Sequence, residues 1–339
     1  MKVLFAFYPL YVKYNHGIAL LSALCKERGI DTALCVLEDL SQFTGAARDA
    51  DWLGFSCVTE HDYKKSLPFM QIARQMGKKI LLGGVYARRA NLDFPGVKVC
   101  LNEGETLPDF LLHGDERLFR EMYIHENLNK LPLPDYELFK NIPFERGIPF
   151  LQGKKVLPYF SSRGCPYKCR FCEASGQAGT CRYRTKVKED LSYLEREYAP
   201  DLFFIGDELL PYYYPLWRQS WSDYNHPFVA YIRADIHPDR LYWLAERGMT
   251  GCAFGVESGD EEYRNKVLGK SLSDADIFRT VGLLNQLNIQ YATFFMTDMP
   301  SETFTLKAKT AKMARELGGF PFIWKYEELF GGERWAQQQ

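Results

Sequence analysis

Ser161-Ser162-Arg163-Gly164-Cys165-Pro166-Tyr167-Lys168-Cys169-Arg170-Phe171-Cys172 carries three cysteines at the spacing C-x3-C-x2-C. The apolar run 157–161 before it reads as a β-strand, so the thiols fall on the loop at that strand's carboxyl end. Three thiolates on one short loop can hold three corners of a cubane iron-sulfur cluster. Such clusters ordinarily take four cysteines, so one iron stays open to a small molecule. A structural zinc ion with Cys181 as fourth ligand would use the same residues. The other five of the nine cysteines, Cys25, Cys35, Cys57, Cys100 and Cys252, stand singly in apolar stretches. They read as buried small hydrophobes. Their uneven spacing excludes a disulfide framework and suits a reducing, cytoplasmic setting.

Working outward from the loop, β-rich runs recur at 202–205, 228–232, 251–255, 291–296 and 321–325. Each of the first four is followed by a stretch of helical spacing. A closed eight-unit barrel needs about 250 residues. Six units from residue 151 to 339 therefore predict a partial, open (β/α)6 barrel with its site at the carboxyl ends of the strands. Before it, strands at 3–8, 32–36, 52–57, 79–82 and 97–101 alternate with helices over 1–126, which predicts a doubly wound parallel sheet of Rossmann-like type. Leu131-Pro132-Leu133-Pro134 cannot continue a helix, and the linker is placed at 127–150.

The 42 lysines and arginines against 43 aspartates and glutamates leave a net charge of -1 over 339 residues. No basic field draws in nucleic acid or anionic lipid, and neither is expected as a partner. No apolar run approaches the roughly 18 to 20 residues of a membrane-spanning helix. The first strand is followed by Lys13 and His16 without a small-residue cleavage site, which argues against a secretory signal.

With these motifs assembled, the sequence resembles the radical S-adenosylmethionine (SAM) superfamily over essentially its whole length. The resemblance implies that Cys165, Cys169 and Cys172 hold a 4Fe-4S cluster whose open iron chelates SAM, and that an external low-potential donor supplies the electron. It places Phe171 near the adenine. Gly206-Asp207-Glu208 matches the family's acidic motif that receives the methionyl amine. Arg233 is implied as partner of the SAM carboxylate, and a guanidinium fork suits that group. Gly255-Val256-Glu257-Ser258-Gly259 matches the segment near the ribose, with Glu257 and Ser258 as its polar members and Lys270 further along. Asp298-Met299-Pro300-Ser301-Glu302-Thr303 resembles a Gly-x-Pro-Gly-Glu-Thr pattern with both glycines replaced.

The N-terminal half resembles the cobalamin-binding domain of the cobalamin-dependent branch. The matching positions are Asn15 and Gly17, Ser56, Thr59 and Glu60, Gly83, Gly84 and Val85, and Glu103 and Gly104. Asn102 stands where that branch often has glycine. Glycines at strand ends allow close approach of a bulky ligand, and they also simply make turns. An Asp-x-His-x-x-Gly motif is absent, so a bound cobalt is expected to lack that histidine.

The resemblance implies methyl transfer to an unactivated carbon of a small-molecule or peptide substrate. Radical cyclisation or rearrangement, a radical SAM enzyme with a cofactor-free N-terminal domain, and a zinc-stabilised interaction protein are the alternatives. Tyr212, Tyr213, Tyr214 and Trp217 follow the acidic motif and could face a substrate or pack as a helix.

Overall fold

A computed structural model describes residues 1–9, 14–89, 95–121, 126–142, 144, 147–172, 181–210 and 214–326. The chain divides into two units: Met1–Glu126 with Lys130–Arg146, and Asn127–Asn129 with Gly147–Gln339.

In the first unit, β1 (Lys2–Phe7), β2 (Asp31–Val36), β3 (Trp52–Ser56), β4 (Lys79–Gly83) and β5 (Val97–Val99) form one sheet in the order β2-β1-β3-β4-β5. All its neighbours run parallel. β1 shows why a continuous apolar run is needed at the centre. Leu4 and Ala6 enter one core with Phe55 and Leu82, while Val3, Phe5 and Phe7 enter a second core on the opposite face. A strand buried on both faces cannot alternate with polar residues. β5 stops earlier than its apolar run predicts, because Leu101 donates its N–H to Phe119 and leaves the ladder.

The stretch 127–150, expected as a linker, is divided between the units. Residues 130–142 dock on the first one: Asp135 accepts from Ser22 Oγ at 2.6 Å, pairs with Lys26, and sends its own N–H to Ala19. Phe139 joins the core beside Phe7. A proline-rich run ends a helix without freeing the chain, and here a buried carboxylate and an aromatic ring hold it down.

The second unit holds β6 (Val156–Tyr159), a short hairpin of β7 (Ser162–Arg163) and β8 (Arg182–Tyr183), then β9 (Leu202–Ile205), β10 (Phe228–Tyr231), β11 (Met249–Glu257), β12 (Gln290–Thr297) and β13 (Phe320–Lys325). The larger sheet runs β6-β9-β10-β11-β12-β13, every pair parallel. This is the expected partial barrel, with the antiparallel β7–β8 hairpin added. Two-residue strands lie below what an apolar run can signal. No helix among the described residues is long and apolar enough to cross a membrane.

Candidate cluster and cofactor sites

The β7–β8 hairpin closes the base of the segment that carries Cys165, Cys169, Cys172 and Cys181. Gly164, at φ 91°, turns the chain out of β7 in a conformation that disfavours a side chain. The loop is then tied down by its backbone: Arg170 N–H donates to Leu268 O at 3.0 Å and Cys172 N–H to Cys169 O at 3.1 Å. Cys169 and Phe171 are buried in one apolar cluster with Tyr263, Leu268, Met296 and Met299. Cys165 and Cys172 are half-buried. Partial burial, with smaller contributions from Cys169, Glu208 and Cys181, holds the Cys165 thiol above its ordinary range. Cationic cluster iron would reverse that shift by binding the thiolates.

Among the described residues, no three His, Cys, Asp or Glu side chains gather around a single ion position. A cubane puts each cysteine on a different iron, so the thiols need not converge, and the donor set fits a cluster. The isolated cysteines behave differently. Burial pushes the thiols of Cys25 and Cys57 up to about 12 and that of Cys100 to about 11, and it raises Cys35 and Cys252 as well. Such thiols are inert at neutral pH.

The acidic motif at the end of β9 splits three ways. A Cβ at Gly206 would fall 2.6 Å from Cε1 of the Phe160 ring, so a side chain there requires that ring to move. Asp207 is fully buried. It accepts from the backbone N–H and hydroxyl of Ser161 and again from the N–H and hydroxyl of Ser162. Burial pushes its carboxyl up to about 6 against those bonds. Expected at the methionyl amine, it is committed to the stem of the cysteine loop instead. Glu208 is exposed yet walled by protein on most sides. Partial desolvation raises its carboxyl, opposed by Arg163 and Arg182. It acts on both Cys165 and Cys181.

Arg233, expected at the SAM carboxylate, is engaged through two of its three guanidinium nitrogens. Nε meets Asp235 Oδ2 at 2.9 Å, and Nη2 donates to the carbonyls of Lys270 and Ser271. The guanidinium also lies over the Tyr167 ring, 3.9 Å from its centroid, which ties the cysteine loop to the 270–271 turn.

Glu257 and Lys270 form a buried pair at 2.8 Å, with Lys270 Nζ 5.6 Å from the centre of the Phe171 ring. Ser258 is buried, and its carbonyl accepts from Arg264 Nη1 at 2.8 Å. Arg264, itself fully buried, also holds Leu272 O and Asp274. Its role is not legible in the sequence, because one arginine in the polar run Glu261-Glu262-Tyr263-Arg264-Asn265-Lys266 has no periodicity to mark it. Asp298 and Ser301, which replace the pattern's two glycines, sit at φ 59° and 60°. The loop keeps the glycine-type backbone without the glycines.

Trp217 is buried against Trp221 and Trp243 and donates to Ser161 Oγ, which accounts for it as packing. Tyr212 and Tyr213 lie outside the described residues.

In the first unit the expected residues share the carboxyl edge of the sheet, but several are engaged locally. Asn15 caps the helix His16–Glu27 through Ile18 N–H and donates to Ser56 Oγ at 3.2 Å. Thr59 and Asp62 form a capping box on the helix Glu60–Gln75, and Glu60 pairs with Lys64. Gly84, at φ 98°, lies so close to Cys57 that a Cβ would fall 2.8 Å from its backbone nitrogen. Gly83 is different: a Cβ there meets only Cys100 Cβ at an ordinary 3.7 Å. Asn102 is buried, and its Oδ1 accepts from Gly104 N–H, shaping the turn that holds Glu103. Gly17 is exposed and Val85 opens the short helix Val85–Arg89. A side chain at Gly83 would make only an ordinary contact and one at Gly104 would lie against Leu21, whereas Gly84 is fixed by the Cys57 backbone.

Comparison with known proteins places these observations. An uncharacterized methyltransferase of Pyrococcus horikoshii is 26% identical over 207 residues, covering 57% of this chain and 42% of the relative. The chain therefore spans less than half the length of that relative. The radical SAM methyltransferase TsrM from Kitasatospora setae superposes with TM-score 0.69 at 12% identity, over 95% of this chain and 72% of TsrM. The cobalamin-dependent SAM radical enzyme OxsB superposes with TM-score 0.66 at 15% identity, over 99% of this chain and 56% of OxsB. At these identities the likeness concerns the fold: a Rossmann-like unit followed by a partial barrel. Residues 159–313, from the end of β6 through the helix after β12, match the radical SAM superfamily model, and this part of the chain is a radical SAM domain.

Proposed function

We propose that the chain is a radical SAM methyltransferase that uses cobalamin, acting on an unactivated carbon of a small-molecule or peptide substrate. The observation that carries the SAM chemistry is the C-x3-C-x2-C loop, pinned at the carboxyl end of a six-stranded parallel sheet. When bound, the cluster supplies one electron to SAM from an external low-potential donor, giving methionine and a 5'-deoxyadenosyl radical.

The chain's own residues do the rest. Cys165, Cys169 and Cys172 hold three irons, and Phe171 offers an apolar ring to the adenine. Glu208, an exposed carboxylate within electrostatic reach of Cys165 and Cys181, receives the methionyl amine. Glu257 and Lys270 present one carboxylate and one ammonium beside Phe171, where ribose hydroxyls and the SAM carboxylate need partners. The apolar cluster of Tyr263, Met296 and Met299 keeps water from the loop.

Cobalamin is assigned to the carboxyl edge of the first sheet. The order β2-β1-β3-β4-β5 brings Asn15, Ser56, Gly83 and Gly104 to one rim, and the structural neighbours TsrM and OxsB were solved with cobalamin bound. Bound there, cobalamin supplies the methyl group. A second reading, a first unit without cofactor, is favoured by the local engagement of Asn15, Thr59 and Gly84. A cytoplasmic setting is proposed from the free thiols.

The test is anaerobic reconstitution with iron and sulfide, followed by a visible spectrum and by equilibrium dialysis against hydroxocobalamin. Brown protein that retains cobalamin and cleaves SAM supports the proposal. Brown protein without cobalamin selects the second reading. Colourless protein ends the SAM assignment.

A further inference from the structure

We infer that Asp207 is the positioning residue of the cysteine loop, setting where Cys165 stands. The inference rests on the reading that this loop holds the cluster. An ionised carboxylate with no exposure is costly to bury unless its lone pairs are met. Here four donors meet them, and all four belong to Ser161 and Ser162, the residues that lead through Arg163 and Gly164 into Cys165.

The same stem is held from two further sides. Trp217 Nε1 donates to Ser161 Oγ at 3.2 Å, and Arg184 N–H, just beyond β8, donates to Ser161 O at 2.8 Å. Asp207 is thus the point at which the end of β9 grips both serines at the foot of the loop. Its neighbour Glu208 has the opposite fate, exposed and within electrostatic reach of Cys165 and Cys181. Of two adjacent acids, one is spent on holding the loop and the other is left for ligands.

The test begins with the cluster-free chain, labelled with iodoacetamide and read residue by residue by mass spectrometry. Asp207→Asn, and separately the double change Ser161→Ala with Ser162→Ala, should label Cys165, and with it the buried Cys169 of the same loop, about tenfold faster than the native chain. Buried Cys25 and Cys252 should keep their rates. After reconstitution the same variants should show a shifted electron paramagnetic resonance spectrum of the reduced cluster, which a role confined to fold stability would not move.

Native labelling rates together with a native spectrum in both variants overturn the inference. Native labelling and spectrum with weakened SAM binding in Asp207→Asn alone overturn it too, and return Asp207 to the amine. If Asp207→Asn unfolds, exposing Cys252 as well, the double serine variant decides, since it leaves the carboxylate two backbone donors. If the native chain takes up no iron but the labelling contrast persists, the cluster reading fails and the hold of Asp207 on the loop stands.

Discussion

The carboxyl ends of the two sheets turn strand into loop by different means. In the first unit the left-handed positions belong to glycines, Gly84 at φ 98° and Gly104 at 90°. At the barrel mouth they include, besides Gly164, three residues with side chains, Glu257, Asp298 and Ser301, at 70°, 59° and 60°. A glycine adopts that backbone without strain, and Gly84 does so because Cys57 leaves no space for a side chain. A residue with a Cβ is held there at a cost of about 1 to 2 kcal/mol. Glycines at a strand end are therefore weak evidence for a ligand, whereas strained side-chain-bearing residues around an apolar thiol loop are stronger evidence.

The comparison can be broken most sharply at the thiols. Cys165→Ala, Cys169→Ala or Cys172→Ala should each abolish cluster assembly, read as iron and sulfide per chain, while Cys181→Ala should spare it. Retention of a full cluster in the triple variant would remove the loop from the chemistry. Next in size, Gly84→Ala should destabilise the first unit by about 3 kcal/mol or more, since backbone clash and left-handed strain act together. Gly83→Ala should cost less than about 1 kcal/mol in the same urea titration. Hence Gly83→Trp, not a change at Gly84, is the variant whose loss of cobalamin in dialysis would report a ligand.

A smaller effect is expected at Arg233. Its replacement by Ala removes a buried cation from Asp235 and two carbonyls and should cost about 2 kcal/mol of stability in the second unit. Were it instead the carboxylate ligand, calorimetry would show SAM binding weakened about thirtyfold with stability unchanged. Smallest of all, Asp298→Gly and Ser301→Gly should each stabilise by up to about 1 kcal/mol in thermal unfolding, because both relieve left-handed strain. For Asp298 the exposed pair with Lys307 that is lost is worth little. Destabilisation by either change would show that the side chain, not the backbone, maintains the loop.

The strands and the thiol loop were legible in the sequence because both are local: apolar runs mark buried parallel strands, and cysteine spacing is read directly. What escaped depends on contacts far apart in the chain. Asp207 and Arg233 read as SAM-contacting residues, and nothing in their own segments shows that Ser161, Ser162 and the 270–271 carbonyls engage them. Gly84 looked like a cradle because a sequence cannot show the Cys57 backbone lying against it. The replaced glycines at Asp298 and Ser301 suggested a lost motif, whereas the backbone kept its shape.

The spatial order of the barrel sheet is also its order along the chain, from β6 through β13 without a reversal. During synthesis each new strand therefore finds its partner already made. The first sheet lacks this property: β2 pairs on one side of β1, and the other side must wait until β3 emerges. In the first unit the chain must therefore cross back over β1, whereas in the second every strand is added at the same growing edge.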